Sequence, residues 1–194
     1  MKKMYKAMLL VLCAALLVAG SVLGTLAYLK DSKTITNTMS VGSVTITMDE
    51  TDVDDYGVKD GETRVAANEY KLIPGHTYVK DPVIHVTAGS EACYVFVNVV
   101  NEIVAIEGGT TIKSQMTANG WVQLTADSTV WYKATAVDAR NGAVDVAVFT
   151  SFTIAGTADV STYTGKTIKI TGYAIQADGF ADAQTAWDAS GFGV

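Results

Sequence analysis

Cysteine and histidine are scarce in this chain, two of each in 194 residues, and their placement removes most of the chemistry they could support. Cys13 lies inside an apolar N-terminal run and Cys93 stands alone beyond it, so no disulfide can form within the part that follows the run. Leu10, Val11 and Leu12 precede Cys13 with bulky side chains where lipid attachment needs small ones, and Cys93, in CYVFVNVV, reads as a small buried hydrophobe rather than a reactive thiol. His76 and His85 have no glutamate at the spacing of a zinc-protease helix, and there is no GxSxG elbow, Walker loop or CxxC pair. A pair of carboxylates acting on sugars stays open, because spacing alone cannot bring two acids together. The expectation is a protein that is not an enzyme and carries no resident metal or cofactor.

Positive charge is also in short supply. Fourteen Lys and Arg face twenty Asp and Glu, for a net charge of -6, and three of the basic residues, Lys2, Lys3 and Lys6, precede the apolar run. Without them eleven basic residues remain against twenty acidic ones, a balance of about -9. Nucleic acid and anionic lipid are poor partners for such a surface, since phosphate binding needs clustered Lys and Arg.

What is present begins with a leader. From Ala7 to Leu29 there are 23 uncharged positions, interrupted toward their end by Gly20, Ser21, Gly24, Thr25 and Ala27. A basic start, an apolar middle and a small-residue exit describe an export signal, cut in the region of Gly24, Thr25, Ala27, Tyr28 and Leu29, with residues 1–28 as signal peptide. The run is also long enough to span a bilayer, so an uncleaved anchor is the rival reading and the leader is the one route to a membrane. Residues 29–194 then form one domain that buries about two-thirds of its unfolded surface.

That domain reads as short β-runs between turns. In SVTITM, Val44, Ile46 and Met48 share one face and Ser43, Thr45 and Thr47 the other. Asp49–Asn68 is expected to be an acidic, solvated loop, its first fourteen residues carrying seven carboxylates. Asp52, Asp54 and Asp55 are candidate calcium ligands there, but an EF-hand loop begun at Asp52 places Tyr56 fifth and Thr63 twelfth, without the bidentate glutamate. Pro74-Gly75 marks a type II turn. Strands are expected in Asp81–Val100, whose second half is apolar on both faces, and over Ile112–Thr117, Trp121–Thr125, Val130–Ala136, Val144–Ile154 and Thr167–Gln176. Gly108-Gly109, Asn119-Gly120 and Asn141-Gly142 read as hairpin turns, the last two of type I′. One helix is expected after Asp178, its cap, with Phe180, Ala183, Ala186 and Trp187 on one side and Trp187 plugging the end of a sandwich. Trp121, Trp131 and Tyr132 are candidate exposed aromatics for glycan stacking, the basis of an alternative adhesin or carbohydrate-binding reading.

Three stretches resemble the camelysin and TasA family of secreted Gram-positive proteins. GTLAYLKDSKTITNTMSVGSVTITMDE (Gly24–Glu50) is similar to its leader exit and first strand, PGHTYVKDPVIHVTAGSEACYVFVNV (Pro74–Val99) to its core, and ITGYAIQADGFADAQTAW (Ile170–Trp187) to the ending of many members. The resemblance implies an all-β, jelly-roll-like antiparallel sandwich with a short C-terminal helix, exported through a SipW-type signal peptidase to the extracellular or biofilm matrix. It also implies fibres in which the freed N-terminal segment of one subunit completes the sheet of the next. The donor would be Leu29–Val41, centred on Thr34, Ile35, Thr36, Asn37, Thr38 and Met39, a β-prone run without proline. Camelysin itself is described as a metalloprotease; no motif in this chain supports that activity.

Overall fold

The computed structural model describes residues 2–28, 41–126 and 128–192. It divides into two units, residues 1–40 and 41–194. Among the described residues the first contains one helix, α1 (Lys2–Tyr28), uninterrupted by proline. Gly24, Thr25, Ala27 and Tyr28 lie in the last turns of this helix. Among the described residues, no helix is long and apolar enough to cross a membrane. Leu29 and the donor candidates Thr34 to Met39 lie outside the described residues.

The second unit is mostly β. Its strands are β1 (Ile46–Val53), β2 (Lys59–Val65), β3 (Thr77–Val79), β4 (Val83–Val86), β5 (Cys93–Asn101), β6 (Trp121–Gln123), β7 (Val130–Lys133), β8 (Val144–Ala147), β9 (Ser151–Thr153) and β10 (Ile168–Gln176). They form three antiparallel sheets, ordered β2-β1-β4-β8, β10-β5-β7-β6 and β3-β9. One apolar core is shared by all three: Ile84, Val86 and Val146 from the first, Val95, Val97 and Trp131 from the second, Tyr78 and Phe152 from the third. That is the layering of a β-sandwich.

Strand β5 shows why its sequence is apolar on both faces. Cys93, Val95, Val97 and Val99 point into the shared core, while Phe96 points the other way into a second cluster with Ala183 and Trp187. The cover on that outer face is helix α3 (Ala183–Ser190). Trp187 thus lies against the flat of the sheet, with ring centroids 5.0 Å from Phe96 and 5.4 Å from Tyr173, and does not plug the end of the sandwich. The helix starts later than Asp178 implies, because Asp182 and Thr185 form a reciprocal capping box that satisfies two of the first-turn donors.

Four further expectations are corrected. Ile112–Thr117 is not a strand but helix α2 (Ile112–Ala118): Thr111 caps it by accepting from Ser114 N–H, and Ile112 and Met116, four residues apart, are the buried pair. Asn119-Gly120 closes this helix instead of turning a hairpin, with Gly120 in the left-handed conformation (φ 77°). No described non-glycine residue has a positive φ, so neither Asn119 nor Asn141 can occupy a type I′ turn. The run Val144–Ile154 breaks into β8 and β9, since Val148 N–H bonds to Pro82 O and the chain crosses there from one sheet to another. The Pro74-Gly75 turn is as expected: His76 N–H donates to Ile73 O at 3.1 Å and Gly75 has φ 80°.

The fourth correction concerns Asp49–Asn68, which is ordered. β1 runs through Val53 and β2 returns beside it, with a register shift between Thr51 and Val53. The alternation set by Ile46 and Met48 carries Glu50 inward and Asp49 outward, and each finds a cation: Lys80 for Glu50, Arg64 for Asp49.

Replacing Trp187 by Ala should cost about 3–5 kcal/mol of unfolding free energy, the range for deleting a buried aromatic. Urea denaturation measures it, and a loss below about 1 kcal/mol would contradict the placement of Trp187 as the cover of β5.

Candidate functional site

The far edge of β10 ends its sheet and carries no further strand among the described residues. Ala177 N–H donates to Ala92 O and Glu102 N–H to Thr167 O, on either side of a nine-residue register with β5. Antiparallel pairing alternates, so the odd-numbered residues of β10 bond to β5. The N–H and C=O groups of Ile168, Ile170, Gly172, Ala174 and Gln176 point away from the sheet, without a backbone partner among the described residues. The other sheet ends are blunted: β6 and β8 are short, and β2, KDGETRV, carries charged side chains along an exposed strand. β10 has a single charge, Lys169, along its length.

Below this edge a cleft of about 1060 Å3 opens between β1, β10 and the 66–72 and 160–167 segments. Its apolar walls include Met48, Ile103, Phe152 and Ile170, and its floor holds Glu50, Asn68 and Lys80. Glu50 and Lys80 are 4% and 7% exposed, and Lys80 Nζ donates to Glu50 Oε2 at 2.6 Å. Neither histidine lines the cleft.

On the outer face of the first sheet, side chains from four strands form a continuous polar row. His85 Nδ1 lies 2.7 Å from Asp145 Oδ1 and its Nε2 3.0 Å from Asp49 Oδ1. Both partners are acceptors, so both ring nitrogens donate and the ring is an imidazolium. Arg64 bonds to Asp49 in turn and reaches Asp81 Oδ2 at 3.3 Å, while Thr51 donates to Asp81 through its N–H and hydroxyl, both at 2.7 Å. The hydrogen bonds to Asp49 and then Asp145 raise the His85 pKa above its ordinary value. Burial would push Asp49 up, but its bonds from Arg64 and His85 outweigh that and hold it low. Asp81 behaves alike, with burial overcome by the Thr51 and Arg64 bonds.

The residues singled out from the sequence do not converge. Asp52 sits on β1, while Asp54 Oδ1 closes its own turn by accepting from Tyr56 and Val58 N–H, each at 2.9 Å. Asp55 is exposed on that turn, and no group of three His, Cys, Asp or Glu among the described residues could hold a metal. His76 is half-buried, with Nε2 2.8 Å from Tyr56 O. Cys93 is fully buried, which pushes its thiol up to about 11. Trp121 and Trp131 are 2% and 6% exposed, so they are core residues rather than a glycan platform; Trp121 Nε1 donates to Ala147 O at 2.9 Å and Lys133 lies over its ring. Tyr132 is half-buried near Phe96. Sequence reading missed Glu50, Asn68 and Lys80 as a unit, although the strand alternation through Met48 already points Glu50 inward. No family model, curated protein or solved structure matches the chain.

The His85 row sets a pH dependence. A histidine with a raised folded-state pKa contributes stability that is complete below its unfolded value of about 6.5 and is lost as pH rises through the folded value. Urea midpoints of the wild-type protein should therefore fall over that alkaline window, and His85→Gln should flatten the fall. Parallel profiles for the two proteins would show that His85 is not held as an imidazolium.

Proposed function

We propose that this chain is an exported, non-enzymatic structural protein of the extracellular or biofilm matrix of a Gram-positive bacterium, which assembles into fibres by adding an N-terminal strand of one copy to the sheet of the next. The single observation that supports this reading most is the nine-residue edge of β10, whose outward N–H and C=O groups lack a backbone partner among the described residues. Strand addition uses main-chain hydrogen bonds for affinity, and a long edge with one charge offers them with little in the way. The donor in this proposal is Leu29–Val41, carrying Thr34 to Met39, freed when a SipW-type signal peptidase removes the leader. An N-terminal segment of that length is ample to cover β10 at about 3.3 Å per residue. The sandwich in this reading is of the jelly-roll kind that the camelysin and TasA resemblance implies.

The adhesin alternative loses its proposed platform, because Trp121 and Trp131 lie in the core. A camelysin-like protease has no support from the histidines, which are apart from each other and absent from the cleft.

Protein beginning at Leu29 should form fibres visible by electron microscopy, and the same protein lacking residues 29–41 should not. Ala174→Pro removes one outward N–H without touching the bonds to β5, and it should slow or abolish fibre growth while leaving the monomer folded by circular dichroism. Monomers from all three proteins, or fibres from all three, would contradict strand addition on β10.

A further inference from the structure

Glu50 does more at the floor of the cleft than neutralise Lys80. Its Oε2 accepts from Lys80 Nζ at 2.6 Å and its Oε1 accepts from Asn68 Nδ2 at 3.0 Å, so one buried carboxylate holds an amine and a primary amide at once. The amide is fixed at its other atoms too: Asn68 Nδ2 also donates to Thr51 O at 2.8 Å, and Asn68 Oδ1 accepts from Val53 N–H at 3.1 Å. Tyr70 covers the amine, its ring centre 5.7 Å from Lys80 Nζ. The three groups come from different parts of the chain, β1 for Glu50, the segment after β2 for Asn68 and the segment between β3 and β4 for Lys80.

We propose that Lys80 and Asn68 form an intramolecular isopeptide bond, with Glu50 as the proton-transfer group. Glu50 Oε2 takes a proton from the Lys80 ammonium. The freed Nζ lone pair adds to Cγ of Asn68, and charge gathers on Oδ1, where the Val53 N–H is already placed to stabilise it. Glu50 passes a proton to the amide nitrogen through the contact made by Oε1 and receives one from Nζ. The Cγ–Nδ2 bond then breaks, and ammonia leaves through the cleft that Glu50, Asn68 and Lys80 line. An ammonium, a carboxylate and a primary amide become an N-alkyl amide, a neutral carboxylic acid and ammonia. Hydrogens and charge balance, and neither oxidant nor co-reactant is consumed. Three features favour the reaction here: the reactants are held in one place, the carboxylate and the amine are buried, and the oxyanion donor is a fixed backbone group. The product closes a covalent loop from residue 68 to residue 80, pinning the hairpin of β1 and β2 to the base of β4 by a bond that no reductant breaks. The inference is independent of strand addition and would hold for a monomer.

Intact-mass spectrometry of the folded full chain, denatured just before measurement, tests it. The expected mass is that of the sequence less one ammonia, and trypsin should yield a branched fragment joining 65–71 to a peptide left uncut after Lys80. Glu50→Gln and Lys80→Arg should both restore the full mass, and Asn68→Asp should give the same branch with loss of one water instead. An unaltered mass in the wild-type protein overturns the proposal. So does an ammonia loss without the branched fragment, which marks a cyclised asparagine.

Discussion

Backbone pairing between β5 and β10 is the constraint from which the rest of the second unit follows. β5 needs a partner on each edge and cover on each face, because its residues are apolar on both. The edges go to β7 and β10, the inner face to the shared core and the outer face to α3. β10 inherits the inverse situation. It is covered on both faces, with Ile168, Ile170 and Ala174 packed on the core and Tyr173 and Ile175 on the α3 cluster, yet one edge carries no strand among the described residues. Unpaired backbone groups in a well-packed strand are a template for another strand. The same pairing that builds the sheet therefore leaves a place to extend it.

The polar residues complement this. On the first sheet the exposed face is laced by His85, Asp49, Arg64, Asp81 and Asp145, and its edge strand β2 is charged along its length. Charged side chains along an edge oppose addition of another chain, so under the proposed strand addition β10 is the favoured edge. Among the described residues the one buried ion pair, Glu50 with Lys80, lies under β1 in the cleft. Burial of such a pair is costly unless hydrogen bonds help complete it, and Asn68 supplies one to Glu50.

Much of this was legible in the residues. The doubly apolar run CYVFVNVV marks a strand covered on both sides, TIKITGYAIQ marks β10, and Pro74-Gly75 fixes its turn, because each depends on local sterics or a period that few alternatives share. Misreadings came where tertiary partners decide. Ile112–Ala118 alternates well enough for a strand, and only the Thr111 cap and the Ile112–Met116 pair make it a helix. The acidic stretch 49–68 reads as solvated because Asp49 and Glu50 meet their cations, Arg64 on the returning strand β2 and Lys80 just beyond β3, only once the sheets have formed. Trp121 and Trp131 carry polar handles that suit a surface, but Ala147 O receives the Trp121 N–H inside the core, and nothing in the local sequence announces that acceptor. The cleft is built from seven separate stretches of chain between Met48 and Ile170, so no single window could show it.

The central claim, that the outward groups of β10 receive a strand from another copy, is tested most directly by amide hydrogen exchange resolved along β10 before and after assembly. In the free protein the amides of Ile170, Gly172 and Ala174 should exchange fast while those of Thr171 and Tyr173, bonded to β5, exchange slowly; assembly should slow the first set to match the second. Even-numbered amides that are already protected in the free protein, or that stay fast in the assembled one, would contradict it.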